Sequence, residues 1–289
     1  MGDLLITVAP TGAETSKDAV PQLPTTLDEL VETARRCEAA GAGMVHVHVR
    51  DDDHRPTLDL SRLTDTVAAL REGTGLVVQL STGGSVHDPL DARLGVLDAE
   101  PDACSLTMGT TNFGDDVFLN PWPFVQDLYQ LSREKRVVPE FELFDLGQVW
   151  ALQRLLDAHG LPWGGKVHVD LVMGVPGGMP GTADALVAAV AALPPQTTSW
   201  SATGIGRSTL AVALASLSKG GHLRVGMEDV LTMARGVPVE HNDQLVERAV
   251  EMGRLAQREP MTPDEVRVLL GISPVQVQVD EAAARVRVP

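Results

Sequence analysis

Short runs of aliphatic and β-branched residues recur along the chain. Between them lie longer stretches whose apolar positions repeat every three or four residues. The short runs predict strands over residues 4–8, 43–49, 76–80, 103–107, 137–141, 166–173, 198–202 and 223–226. The longer stretches predict helices over 26–40, 61–72, 121–134, 145–159, 182–192 and 208–218, with another over 242–257 after the last strand. A final short helix begins at Thr262, where Thr262-Pro263-Asp264-Glu265 supplies a hydroxyl cap, a proline at the first position and acid in the first turn. Strict alternation of strand and helix demands a parallel sheet covered by helices. Eight such units favour closure into an α/β fold of the (β/α)8 TIM-barrel kind over an open sheet. The chain of 289 residues suits one such barrel as a single domain, with residues 280–289 as an extra strand or extended tail.

Polar residues gather just after the predicted strands, at residues 11–14, 46–50, 81–84, 105–112, 140–145, 174–178, 204–207 and 228–229. That end of the strands is where a barrel enzyme keeps its site. The sharpest cluster is Val45-His46-Val47-His48-Val49-Arg50. Residues two apart in a strand share a face, so His46, His48 and Arg50 point one way and the three valines point toward the helices. Two inward imidazoles need polar partners. They are either a hydrogen-bonded pair of barrel histidines or two ligands of one ion, zinc foremost. A catalytic zinc also wants a third protein ligand and an open position.

Residues 220–229, GGHLRVGMED, offer that third ligand. Glu228 or Asp229 ligates and the other serves as base, or both simply sit at a helix N-terminus where acid is favourable. His222 reads as a packing residue. Ser81-Thr82-Gly83-Gly84 is a tight loop of hydroxyls and backbone N–H groups, fit to cradle a carboxylate or phosphate, or to start a helix. Gly204-Ile205-Gly206-Arg207 precedes the helix after the seventh strand, a common phosphate position in barrels. Glu140 and Glu142 share one parity and point inward, toward a site or into structural ion pairs.

Charge then narrows the ligand. A net charge of −16 with 3% aromatic residues argues against nucleic acid, and an acidic surface disfavours anionic membranes. An anionic ligand must be captured by a local positive site, and Arg207 strengthens the phosphate position after the seventh strand as one. Two cysteines, Cys37 and Cys104, with no CxxC pair fit a reducing cytoplasm. The N-terminus lacks the basic region and apolar length of a signal peptide.

Taken together, TGAE at 11–14, HVHVR at 46–50, QLSTGG at 79–84, NFG at 112–114, FELFD at 141–145, MGVPGG at 173–178, GIGR at 204–207 and GGHLRVGMED at 220–229 resemble the β-keto acid cleavage enzymes. The resemblance runs in order over essentially the whole chain. It is strongest to the branch acting on 3-keto-5-aminohexanoate in lysine degradation. It implies a barrel, a homotetramer, one zinc per chain and acetyl-CoA as co-substrate. The implied reaction turns a β-keto acid and acetyl-CoA into acetoacetate and a new acyl-CoA. It further implies His46, His48 and Glu228 as zinc ligands, Asp229 as base linked to Arg224, and Glu142 in the reaction pocket. Ser81 and Gly84 would hold the keto acid's carboxylate, with Ser105 and Thr107 nearby, where the family carries a threonine and an asparagine. Glu14 falls where the family has an acid facing a substrate amine, so the expected substrate has a cationic tail. The leading candidate is 3-keto-5-aminohexanoate, giving 3-aminobutyryl-CoA, and dehydrocarnitine is the second. Alternatively, Glu14 pairs with Lys17 or Arg50. The competing functions are another zinc-dependent barrel aldolase or hydrolase, and a degenerate barrel that senses a metal or ligand.

Overall fold

The computed structural model describes residues 3–272. Eight parallel strands close a barrel: β1 (Ile6–Val8), β2 (Met44–Val47), β3 (Val77–Leu80), β4 (Ala103–Thr107), β5 (Val138–Leu143), β6 (Val167–Met173), β7 (Thr197–Gly204) and β8 (His222–Val225). Each strand lies beside its neighbours in sequence, and β1 closes the ring by pairing with both β2 and β8. A helix follows each strand: α1 (Leu27–Ala40), α2 (Leu60–Gly73), α3 (Leu90–Gly95), α4 (Trp122–Lys135), α5 (Leu146–His159), α6 (Ala183–Ala192), α7 (Thr209–Ser218) and α8 (Asn242–Leu255). An additional helix, α9 (Pro263–Leu270), starts at the Thr262 cap, whose hydroxyl accepts from the Glu265 N–H while the Glu265 side chain accepts from the Thr262 N–H.

The two faces of each strand go to different cores. Outward residues such as Val45, Val47, Val78 and Leu80 are fully buried against Leu30, Ala34, Leu63 and Val67 of α1 and α2. Tyr129, Leu152 and Leu186 of α4, α5 and α6 cover the opposite side of the ring. Inward residues at the strand starts, Leu5, Met44, Val77, Ala103 and Val138, make a plug that Val266 and Leu270 of α9 cap from below. No helix among the described residues is long and apolar enough to cross a membrane.

Several expected boundaries move. β2 ends at Val47, not 49, and Arg50 makes an isolated bridge to Pro56. The hairpins Thr111–Phe113/Asp116–Phe118 and Thr232–Ala234/Val237–Pro238, and α3 with the 3-10 turn Val96–Ala99, had no counterpart in the sequence pattern. Three-residue strands and a six-residue helix are too short for either period to register. Residues 280–289, read as a strand or tail, lie outside the described residues.

Candidate active site

The C-terminal ends of the strands surround a cavity of about 390 Å3, lined at its base by His46, His48, Ser81, Glu142, Arg224, Glu228 and Asp229. That size lies within the usual range of small-molecule sites. Its upper wall is apolar. Phe113 and Phe118 of the first hairpin meet Phe144 at the end of β5, with ring centroids 6.1–6.4 Å apart.

The parity expected of β2 holds for the histidines. The His46 and His48 Nε2 atoms lie 3.7 and 3.6 Å from Glu228 Oε1. Arg50 departs from that face. Its guanidinium donates to the carbonyls of Gly12, Thr15 and His54, and so pins the loop after β1. That loop needs glycine at position 12, since φ is +65° and a Cβ would stand 2.6 Å from Glu228 Cγ.

The end of β8 separates the two acids. Gly226 has φ +154° where the chain turns against β1, and a Cβ there would strike the Ala9 carbonyl at 1.9 Å. Beyond this turn Glu228 faces the histidines. Asp229 folds back instead onto Arg224, accepting from Nε at 3.1 Å and from Nη2 at 3.0 Å. Arg224 also donates to Glu228 Oε1, and at 3.2 Å to Glu142 Oε1. Glu142 Oε2 accepts from Thr107 Oγ1 at 2.9 Å.

The electrostatics follow from burial. Burial pushes the Asp229 carboxyl up to about 6, aided by Glu228 and opposed by Arg224. Burial also raises Glu142, against His46 and Arg224, and lifts Asp170 well above the carboxylate range. For Glu228 burial is outweighed by Arg224, His48 and His46, and the carboxyl falls to about 2. Burial drops His48 to about 3, so it is a neutral imidazole with a free lone pair.

His46, His48 and Glu228 form a group whose candidate ligand atoms all lie within 4.8 Å of one another. Glu228 Oε2 is buried with no hydrogen-bond partner among the described residues. Two imidazole nitrogens and an orphaned carboxylate oxygen fit a divalent cation. The excess of buried carboxylates over Arg224 favours one as well, because unbalanced buried charge is costly.

The other expected positions divide. Ser81 and Gly84 line the cavity. Ser105 and Thr107 are buried behind its wall, Ser105 accepting from the Thr82 N–H and Thr107 holding Glu142. Glu14 stands exposed at the cavity rim; of the two partners in the alternative reading, Lys17 pairs instead with Glu29 at 2.7 Å, while Arg50 lies close enough to feel the Glu14 charge. Arg207 lies exposed on the 3-10 turn Gly206–Ser208, beside Ile205 of the wall but not on it. His222 packs as expected, its Nδ1 accepting from the Leu5 N–H at 3.0 Å. Four contributors were given no role from the sequence: Gln79, His168, the aromatic hairpin, and Arg93. Buried Arg93 clamps Thr82 to Leu119 and Asn120 while lying over the Phe118 ring. The inward parity of Gln79 with Ser81, and of His168 with Asp170, was the available clue.

A closed parallel barrel with its titratable side chains converging on a cavity at the C-terminal strand ends is the arrangement of a barrel enzyme. The chain belongs to the beta-keto acid cleavage enzyme family, whose model matches residues 3–272. It is 35% identical over 275 residues, 94% of this chain and 100% of the relative, to a 3-keto-5-aminohexanoate cleavage enzyme of Acetoanaerobium sticklandii. It is 32% identical to a 3-oxoadipate:acetyl-CoA acetyltransferase of Cupriavidus necator, covering 94% of this chain and 96% of the relative. A 3-dehydrocarnitine:acetyl-CoA trimethylamine transferase of Rhizobium meliloti is 31% identical, over 92% and 95% of the two chains. Among solved structures, ObcA with oxaloacetate shares the fold at a TM-score of 0.73, with 21% identity over 88% of this chain and 68% of that one.

Proposed function

We propose that the protein is a zinc-dependent acyltransferase that converts a β-keto acid and acetyl-CoA into acetoacetate and a new acyl-CoA. The observation that carries this reading is the convergence of His46, His48 and an orphaned Glu228 oxygen beside the Asp229–Arg224 pair in a small cavity. The names of the relatives supply acetyl-CoA as the co-substrate. His46, His48 and Glu228 would hold the metal, which when bound polarises the keto acid's ketone and carboxylate oxygens.

The protein's own side chains do the rest. Ser81 and the backbone at Gly84 receive the substrate carboxylate. Asp229, steadied by two hydrogen bonds from Arg224, takes a proton from the carbon between ketone and carboxylate. That carbon forms a bond to the thioester carbonyl of acetyl-CoA, and the CoA thiolate leaves. The thiolate adds to the original ketone carbon. The old carbon–carbon bond then breaks, and its electrons and a returned proton complete acetoacetate. Glu142, backed by Thr107, lies in the same cavity as a proton holder, while Ser105 secures the loop carrying Ser81. Arg207, exposed outside the cavity, attracts the phosphates of CoA rather than the keto acid.

For the substrate tail, Glu14 at the rim favours a cation, and the Phe113–Phe118–Phe144 wall favours a small apolar group beside it. An amine and a methyl on one carbon, as in 3-keto-5-aminohexanoate, satisfy both, and dehydrocarnitine is the second choice. The test is a coupled assay of a β-keto acid panel, with and without acetyl-CoA, on metal-quantified protein. Wild type should require acetyl-CoA and prefer the amino acid over uncharged 3-ketohexanoate. Glu14→Gln should lose about 1 kcal/mol of that preference, the worth of a solvent-exposed ion pair. Turnover without acetyl-CoA would point to a hydrolase or aldolase instead, and preference for the uncharged acid would end the amine assignment alone.

A further inference from the structure

Below His46 the barrel encloses a chain of polar side chains to which the proposed reaction gives no role. His46 Nδ1 lies 2.6 Å from Gln79 Oε1, and Gln79 Nε2 donates to Glu140 Oε2 at 2.8 Å. Glu140 Oε1 is 3.2 Å from His168 Nε2, while His168 Nδ1 is 2.7 Å from Ser199 Oγ. Gln79, Glu140 and His168 are no more than 3% exposed. The sheet register builds the chain: His46 stands opposite Gln79 on β2 and β3, and Glu140 opposite His168 on β5 and β6. Between β3 and β5, β4 sets only the small side chains of Ala103 and Ser105 opposite Gln79 and Glu140, and Gln79 spans the gap.

The direction of the hydrogen bonds is forced. Burial pushes the Glu140 carboxyl up, but His168 and Gln79 outweigh it, so Glu140 stays a carboxylate and can only accept. It therefore draws the Gln79 amide nitrogen to itself and turns the amide oxygen to His46. With the amide reversed, two acceptor oxygens would face each other at 2.8 Å. A carbonyl oxygen also only accepts, so the proton of His46 sits on Nδ1 and the lone pair on Nε2, the atom facing Glu228. We propose that Gln79, held by Glu140 and His168, is a positioning residue that fixes His46 in its Nδ1–H tautomer and aims Nε2 into the site. A metal ligand held this way is oriented and made more basic by its outer partner. The consequence for metal binding rests on the ligand assignment proposed above; the tautomer does not.

The decisive measurement is a long-range 15N–1H spectrum of histidine rings in the full-length protein, with the His46 signals assigned by their loss in His46→Gln. The expected pattern is a protonated Nδ1 and an unprotonated Nε2. A proton on Nε2 overturns the proposal. Zinc affinity, read by chelator competition, supplies the second arm. Gln79→Leu should bind zinc about 10–100-fold more weakly, and Glu140→Gln should fall between it and wild type. A folded Gln79→Leu that binds zinc within about twofold of wild type also overturns the proposal. If neither variant folds, the wild-type spectrum decides alone. Wild type that shows the tautomer but binds no zinc supports the positioning role and removes the metal reading instead.

Discussion

Met44 and His46 sit two residues apart on β2 and point into the same barrel, yet they belong to different regions. At the lower end Leu5, Met44, Val77, Ala103 and Val138 pack as an apolar cluster that Val266 and Leu270 of α9 seal. At the upper end His48, Glu142, Arg224, Glu228 and Asp229 crowd charge into a half-closed cavity. The lower plug gains stability from apolar burial. The upper cluster costs stability, since each carboxylate there must be desolvated, and its mutual hydrogen bonds only offset that cost. The difference teaches that folding and chemistry occupy separate layers of one set of strands, so each can be damaged without the other.

The largest effect should come from the upper layer. His46→Ala/His48→Ala is expected to fall from about one zinc per chain to none and to lose turnover entirely, while melting no lower than chelator-treated wild type. Full metal content in that variant, measured by elemental analysis, would remove the ligand assignment. Next, Asp229→Asn should keep its zinc and lose roughly two or more orders of magnitude in turnover, the usual scale for a general base. If it loses zinc while Glu228→Gln retains it, the two acids have exchanged roles.

The lower layer should respond in the opposite way. Met44→Ala removes a fully buried side chain and should cost about 2–5 kcal/mol in denaturant unfolding. At temperatures where the variant is folded, its turnover and zinc affinity should match wild type. A parallel loss of turnover would show that the layers are coupled.

The smallest effect concerns acid. His222, at the start of β8, accepts the Leu5 N–H and lies 3.2 Å from an Arg258 nitrogen. Burial, with His168 and Arg258, drops it to about 3. An unfolded histidine takes its proton near about 6.5. Between those values the unfolded chain holds a proton that the native state refuses, so this contribution to stability is complete above 6.5 and is lost as pH falls toward 3. Replacing it by His222→Gln should flatten the pH dependence of unfolding in that window by at most one proton. An unchanged slope would clear His222 of the effect.

Much of this division could be read in the chain. The inward parity of His46 and His48, the apolar starts and polar ends of the strands, and the Thr262 cap are local patterns, and the structure keeps them. Arg50 escaped the same reasoning because β2 ends three residues before it, and strand ends are set by pairing partners rather than by period. The hairpin carrying Phe113 and Phe118 escaped because three-residue strands leave no periodic trace.

The sequence alone determined the kind of fold and the face each strand residue would take. Those follow from periods of 2 and about 3.6, which depend on backbone geometry within a few residues. Only the tertiary structure decided which side chains meet. Arg224 reaches Glu142 across 82 residues of chain, and Gln79 reaches Glu140 across 61. Glu228, not Asp229, turns to the histidines, and Glu14 stands exposed at the rim. These outcomes depend on how eight strands stagger as the ring closes, a register that no local stretch of sequence contains.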